Sequence, residues 1–247
     1  MLLYNKFKRS TKSMKKNLVI ISGAGISAES GIPTFRDAVT GLWENHDIND
    51  VCTAEAIRRD PELVHRFYNE LREKYKNAVP NEAHALVASL EKDYNVTIIT
   101  QNVDGLHEAA GSSNVIHLHG EILKCRDVND SSIIFDIPED KDGKLTTFPG
   151  MKVNGHEVRP HIVFFHEDVP NIVKAADVVR EADIVVVIGT SLVVYPAAGL
   201  IDFARQGVPV YYIDLHPNVS TSVNPKMKVI ESTASKGMKI LIEELKK

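Results

Sequence analysis

Asn17–Asp37, NLVIISGAGISAESGIPTFRD, is the stretch on which the fold turns. An unbroken aliphatic run, Leu18 to Ile21, meets Gly23-Ala24-Gly25-Ile26-Ser27-Ala28. This is the G-x-G-x-x-A pattern, in which small residues let backbone amides and a helix N-terminus approach a pyrophosphate. Taken alone, such a turn is also compatible with plain strand-to-helix punctuation. The residues that follow sharpen it: Gly31, Pro33, Phe35, Arg36 and Asp37 break the helix and crowd an aromatic ring, a cation and a carboxylate beside the turn. A hydride-transferring dinucleotide enzyme would place an acid at the end of a second strand about 20 residues on. Here that region, GLWENHDINDV, has acids but no strand before them. A nucleotide diphosphate remains the expected ligand, and hydride transfer is disfavoured.

Apolar runs at 18–22, 96–100, 114–118, 161–165, 184–190 and 209–213 are separated mostly by helical patterns. The alternation predicts an α/β fold, a Rossmann-like, mostly parallel sheet with helices on both faces. Asp60 as N-cap and Pro61 at the first helical position open a helix over 61–78, after another over 53–59. These helices form an excursion over about 37–79. From Lys124 to Arg159 the chain has no clear period and is rich in Asp, Gly and Lys, too long a stretch for an ordinary connection. It is read as a small inserted module, about 125–157. The Rossmann-like core then comprises about 17–36, 80–124 and 158–247, within a single catalytic domain over 17–247.

The 247 residues, 43% of them hydrophobic, are enough for a sizeable core. A net charge of −4 gives no chain-wide basic field for nucleic acid. The two cysteines, Cys52 and Cys125, form no C-x-x-C and offer neither a disulfide framework nor a four-cysteine zinc site, so a reducing, cytoplasmic setting is expected. No apolar run approaches the roughly 20 residues needed to span a bilayer, and no membrane partner is expected. Residues 1–16 carry Lys6, Lys8, Arg9, Lys12, Lys15 and Lys16. This basic tail reads as a targeting or nucleic-acid arm or, with Met14 just before the first strand, as a solvated extension.

Polar residues follow several expected strands: Gln101-Asn102-Val103-Asp104 after VTIIT, His119-Gly120 after NVIHL, Gly189-Thr190-Ser191 after IVVVI, and Asp214 after VYYI. Singly each has a structural reading, His119 as a satisfied core histidine, Gln101 and Asn102 as turn formers, Thr190-Ser191 as a helix N-cap. Jointly they fall where ligands bind an open α/β sheet, outside the carboxyl ends of its strands.

GAGISAESGIPTFRD, TQNVDGLHEAAG, HLHG, RPHIVFFHEDVP and GTSLVVYPAAGL, in this order, resemble the sirtuins, NAD-dependent protein deacylases. The resemblance runs from about residue 17 to the C-terminus and fails mainly between 125 and 157. It implies NAD as cofactor, acyl-lysine proteins as substrates, and nicotinamide and O-acyl-ADP-ribose as products. Gly23, Ala24, Gly25, Glu29, Thr34, Phe35 and Arg36 would line the NAD pocket. Ile32, Gln101, Asn102 and Asp104 would hold the ribose and carboxamide. Gly189, Thr190 and Ser191 would hold the diphosphate and adenosine, with Asp214 on the adenine ribose and Ala234 and Ser235 near the adenine. His119 matches the catalytic base, and the resemblance implies Asn102 as the second catalytic residue. A base with a pKa near neutral suits proton removal from a ribose hydroxyl. Val163, Phe164, Phe165, His166 and Glu167 would form the peptide-binding edge, and Cys52, Tyr68 and Leu71 the acyl pocket.

The chain departs from the sirtuin pattern in three places. Most sirtuins hold their small module with zinc on two C-x-x-C pairs; here Asp127 stands where the first ligand would fall, and packing through Ile133, Ile134, Phe135 and Ile137 is expected instead. Desuccinylase-type sirtuins carry an arginine three residues after the tyrosine, whereas this chain has Leu71 after Tyr68. Arg72, about 100° further round the helix, should point elsewhere. A buried acyl carboxylate would lack its partner, so neutral acyl groups are expected. His166 stands where glycine is usual. Rival activities at the same site are mono-ADP-ribosyl transfer and NAD hydrolysis; a rival of another class is a non-catalytic NAD or ADP-ribose sensor.

Overall fold

The computed structural model describes residues 15–34, 47–217 and 227–247. The basic tail up to Met14 and the first part of the expected helical excursion lie outside them. In chain order the elements are strand β1 (Asn17–Ser22), helices α1 (Ile48–Val51), α2 (Ala54–Arg59), α3 (Pro61–Tyr75) and α4 (Glu82–Ser89), β2 (Asn95–Thr100), α5 (Leu106–Ala109), and β3 (Val115–His117). Then come β4 (Gly120–Asp127), β5 (Ile134–Asp136), β6 (Lys152–Val153), β7 (His156–Ile162), α6 (Ile172–Arg180), β8 (Ile184–Ile188), β9 (Val210–Asp214), β10 (Met227–Glu231) and α7 (Ala234–Leu245).

Six strands form a parallel sheet in the order β10-β9-β8-β1-β2-β3. β1 is central, with Ile20 between Ile98 and Val186. Its aliphatic run is buried on both faces because side chains alternate. Leu18 and Ile20 pack with Ile98, Val186 and Ile188 against α4 and α7, through Ala83, Val87, Met238 and Leu241. Val19 and Ile21 pack with Ile99, Val185, Val187 and Tyr212 against α6, through Ala175, Ala176 and Val179. The Rossmann-like reading holds.

A second sheet, in the order β5-β4-β7-β6, is antiparallel. The apolar run at 161–165, expected as a strand of the main sheet, belongs partly here: β7 ends at Ile162 and pairs with β4 and β6. What sets this pairing is a hairpin at Asn154-Gly155, both in the left-handed region (φ 52° and 87°), which pairs Val153 with His156. β10 was not foreseen either, being a short, half-polar edge strand.

The antiparallel module packs Cys125, Ile137, Met151 and Val158, with Phe135, Leu145 and Val153 around them. Of the expected packing residues Ile137 and Phe135 contribute, but Ile134 is 42% exposed, because alternation along β5 turns it outward. The module is pinned to α3 by polar contacts. Asn69 donates through Nδ2 to the Thr147 carbonyl and accepts from the Thr147 amide through Oδ1 (2.9 and 3.0 Å). Arg72 donates through Nε to the Ile122 carbonyl at 2.7 Å and through its guanidinium to the Leu145 carbonyl. Among the described residues, no helix is long and apolar enough to cross a membrane.

Candidate active site

The parallel sheet gathers the carboxyl ends of β1, β2, β3, β8 and β9 along one edge. The loops after β1 and β8 are pressed together there: the amides of Gly23 and Gly25 donate to the carbonyls of Ile188 and Gly189 (3.1 and 2.8 Å). A Cβ on Gly25 would come within 2.6 Å of the Gly189 Cα, and one on Gly189 within 2.3 Å of the Ile26 nitrogen. Glycine at these positions lets the two loops touch. The residues after Gly23 form two short 3₁₀ turns, Ala24–Ile26 and Ala28–Ser30, where the motif predicted a helix. Glu29, from the second turn, accepts from the Ser235 amide at 2.9 Å at the N-terminus of α7, favourable for a carboxylate. This contact joins Glu29 to Ser235.

Gln101 reaches across to β8, donating through Nε2 to Thr190 Oγ1 at 3.0 Å; the Thr190 carbonyl in turn accepts from Tyr212 Oη at 2.8 Å. Ser191 is half-buried beside Thr190, and Asp214 ends β9, its Oδ1 accepting from the His216 amide. Ile32 is buried and Thr34 half-buried at the end of the β1 loop. Phe35 and Arg36 lie outside the described residues.

A buried polar chain fixes Asn102. Its Nδ2 donates to Ser27 Oγ at 3.1 Å, and Ser27 Oγ donates to Asp104 Oδ2 at 3.0 Å. Asp104 Oδ1 accepts from the Leu106 amide, while burial raises the Asp104 pKa. Ser27 also meets His84 Nε2 at 3.5 Å; His84 Nδ1 faces the Asn81 amide, so the proton sits on Nε2. Burial pushes His84 down to about 4 and keeps it neutral. The roles of Ser27 and His84 were not foreseen from the sequence.

His119, half-buried after β3, places Nδ1 3.0 Å from the Gln101 carbonyl oxygen. A carbonyl only accepts, so Nδ1 carries the proton and neutral His119 has its lone pair on Nε2. Burial lowers its pKa, partly offset by this hydrogen bond. The sharp exit behind it needs Gly120, whose φ is 90° and whose Cβ would sit 2.0 Å from the His161 carbonyl oxygen.

The segment after β7 is tied to the end of β3 on one side and to the residue after α1 on the other. Val163 donates to the His119 carbonyl at 2.9 Å, and Phe165 to the Cys52 carbonyl at 2.8 Å. The Glu167 carboxylate accepts from Arg126, Arg159 and the Phe164 amide, so it holds the turn at His166, which has φ 70°. Arg159 lies over the Phe164 ring at 4.6 Å, and that ring packs on Tyr68 at 5.7 Å. Cys52 Sγ is 3.0 Å from Tyr68 Oη, and burial pushes the thiol up to about 11, so it stays protonated. Leu71 is buried in the same apolar cluster as Tyr68 and Phe164. Cys52, Tyr68, Leu71 and Phe164 thus come together, whereas Arg72 is directed into the antiparallel module.

Residues 23–196 match the Sir2 family. The chain belongs to it. A Sir2-family relative named NAD-dependent protein deacylase, from Aggregatibacter actinomycetemcomitans, is 52% identical over 212 residues, covering 86% of this chain and 98% of its own. Another of that name, from Bacteroides thetaiotaomicron, is 48% identical over 235 residues, covering 94% and 97%. A solved Sir2 homologue in complex with NAD superposes with a TM-score of 0.80 at 36% identity, covering 94% of this Sir2-family chain and 90% of that one.

Proposed function

We propose that this chain is an NAD-dependent protein-lysine deacylase that acts in the cytoplasm and favours neutral acyl groups. The observation that carries the reading is the His119 Nδ1 bond to the Gln101 carbonyl, beside the Asn102-Ser27-Asp104 chain. It leaves a neutral imidazole with an unprotonated Nε2 next to a fixed amide and carboxyl, a set suited to taking a proton from a sugar hydroxyl. The site residues suit NAD by their chemistry: bare backbone where two loops touch, hydroxyls at Thr190 and Ser191 for phosphate oxygens, an acid at Asp214 for ribose hydroxyls, and the Asn102–Asp104 segment for a carboxamide. When bound, NAD supplies an electrophilic ribose carbon and nicotinamide as leaving group.

The chain's own residues do the rest. Tyr68, Leu71 and Phe164 would receive the acyl chain in an apolar slot and exclude water from it. Asn102, held by Ser27, would orient the reacting sugar, and His119 would accept its proton at Nε2. The 163–167 segment would hold the peptide. Among the described residues, Arg159 is engaged with Glu167 and Arg72 with main-chain carbonyls, which disfavours a buried acyl carboxylate. Mass spectrometry of acetyl-, butyryl-, myristoyl- and succinyl-lysine peptides incubated with NAD tests this. Faster loss of acetyl or butyryl than of succinyl is expected, and the reverse order refutes the preference.

A further inference from the structure

His117 and His119 lie two residues apart at the end of β3, a spacing that puts side chains on one face of a strand. Each turns Nδ1 to one of two consecutive carbonyls after β2, His119 to Gln101 at 3.0 Å and His117 to Asn102 at 3.3 Å. The two differ at the other nitrogen. His117 places Nε2 2.7 Å from Glu108 Oε1 on α5, and its own carbonyl accepts from Asn171 Nδ2. Both ring nitrogens of His117 therefore face acceptors, and only the imidazolium can donate to both. The Asn102 residue is thus gripped twice, by Ser27 on its side chain and by His117 on its carbonyl.

We propose that the His117–Glu108 pair is a positioning device that holds the Asn102 main chain, and with it the Gln101 carbonyl that orients His119. The inference rests on the reading that Asn102 and His119 act on the reactants. Burial works against the charge on His117, but the Glu108 carboxylate, through hydrogen bond and charge, more than reverses it and holds the group above the ordinary histidine range. The other groups that act on it are Glu121 on β4, Asp104 before α5, His107 on α5 and His161 on β7. The charged, gripping form is present at low pH and lost as pH rises through this raised value.

The test measures kcat and KM as a function of pH for the wild type, His117→Gln, Glu108→Gln and His119→Ala. His117→Gln has both its N–H donors on a single nitrogen and cannot reach the two acceptors that face opposite sides of the imidazole, so kcat falls about tenfold while KM for the acyl-peptide stays within about twofold. Glu108→Gln, on a half-exposed side chain, keeps an acceptor but removes the charge, so the alkaline fall of kcat moves to lower pH. A Glu108→Gln profile that superimposes on the wild type, or a His117→Gln enzyme with unchanged kcat, overturns the proposal. Full activity in His119→Ala overturns the underlying reading of the site, an outcome distinct from failure of the His117 variants alone.

Discussion

His119 Nδ1 lies 3.0 Å from the main-chain oxygen of Gln101, so one strand end sets the tautomer of a histidine on the next. In the proposed role the free base is the working form, and burial holds its pKa below the ordinary value. The acid limb of kcat/KM is therefore expected to have its midpoint below about 6.5, with activity rising as pH rises through it. His119→Ala is expected to lower kcat by about 100-fold or more. A limb centred near 8, or a fully active alanine variant, would contradict the assignment.

Leu71 sits among Tyr68 and Phe164, one helical position before the committed Arg72. Leu71→Arg places a guanidinium in this apolar cluster, where the proposed acyl group would be its partner. The ratio of succinyl to acetyl turnover should rise at least about tenfold, since a charged pair left unmatched is the costly state. Competition assays with the two peptides measure it; an unchanged ratio in a folded variant removes Leu71 from the pocket.

Arg72 is 2% exposed, and its Nε bond to the Ile122 carbonyl helps pin the antiparallel module to α3. Arg72→Leu leaves buried acceptors unmatched, at a cost of about 1–3 kcal/mol. Urea unfolding should show it, with hydrogen exchange increased across β4. Cys125 packs inside the module, and the chain has only one other cysteine, so EDTA should leave both the melting temperature and the deacylation rate unchanged. Loss of either on chelation would mean that a metal braces the fold.

Buried His65, His84 and His107 are expected to make the fold acid-sensitive. Burial, then Arg72, pushes His65 down to about 4; burial pushes His84 to about 4; burial, then His84, pushes His107 to about 3. Each folded value lies below that of the unfolded chain, so the unfolded state binds more protons under acid conditions. Their contribution is complete above about pH 6.5 and is lost as pH falls toward 4. The urea midpoint should drop over that window, and His84→Gln should flatten the drop. A midpoint constant from pH 7 to 4.5 would refute this.

The central strands were legible because β1, β2 and β8 are unbroken aliphatic runs, the mark of strands buried on both faces. Polar residues at their ends pointed to the crevice for the same reason. The antiparallel sheet was less legible: HIVFF looks like one more buried strand, and the deciding signal is the Asn154-Gly155 turn several residues before it. The contacts that orient the site escaped because they join distant positions. Ser27 meets Asp104 77 residues away and His84 57 away, and neither spacing has a periodic signature. The His117–Glu108 pair, only nine residues apart, is spread over a strand and a helix, and no single-element pattern records it.

The measurement that tests the central claim most directly is a mass balance. Purified protein is incubated with NAD and an acetyl-lysine peptide, and acetyl loss, nicotinamide and O-acetyl-ADP-ribose are quantified together. Equal amounts of all three, with no acetyl loss when NAD is omitted, are predicted. Nicotinamide release with the peptide unchanged would contradict the account and identify ADP-ribosyl transfer or NAD hydrolysis instead.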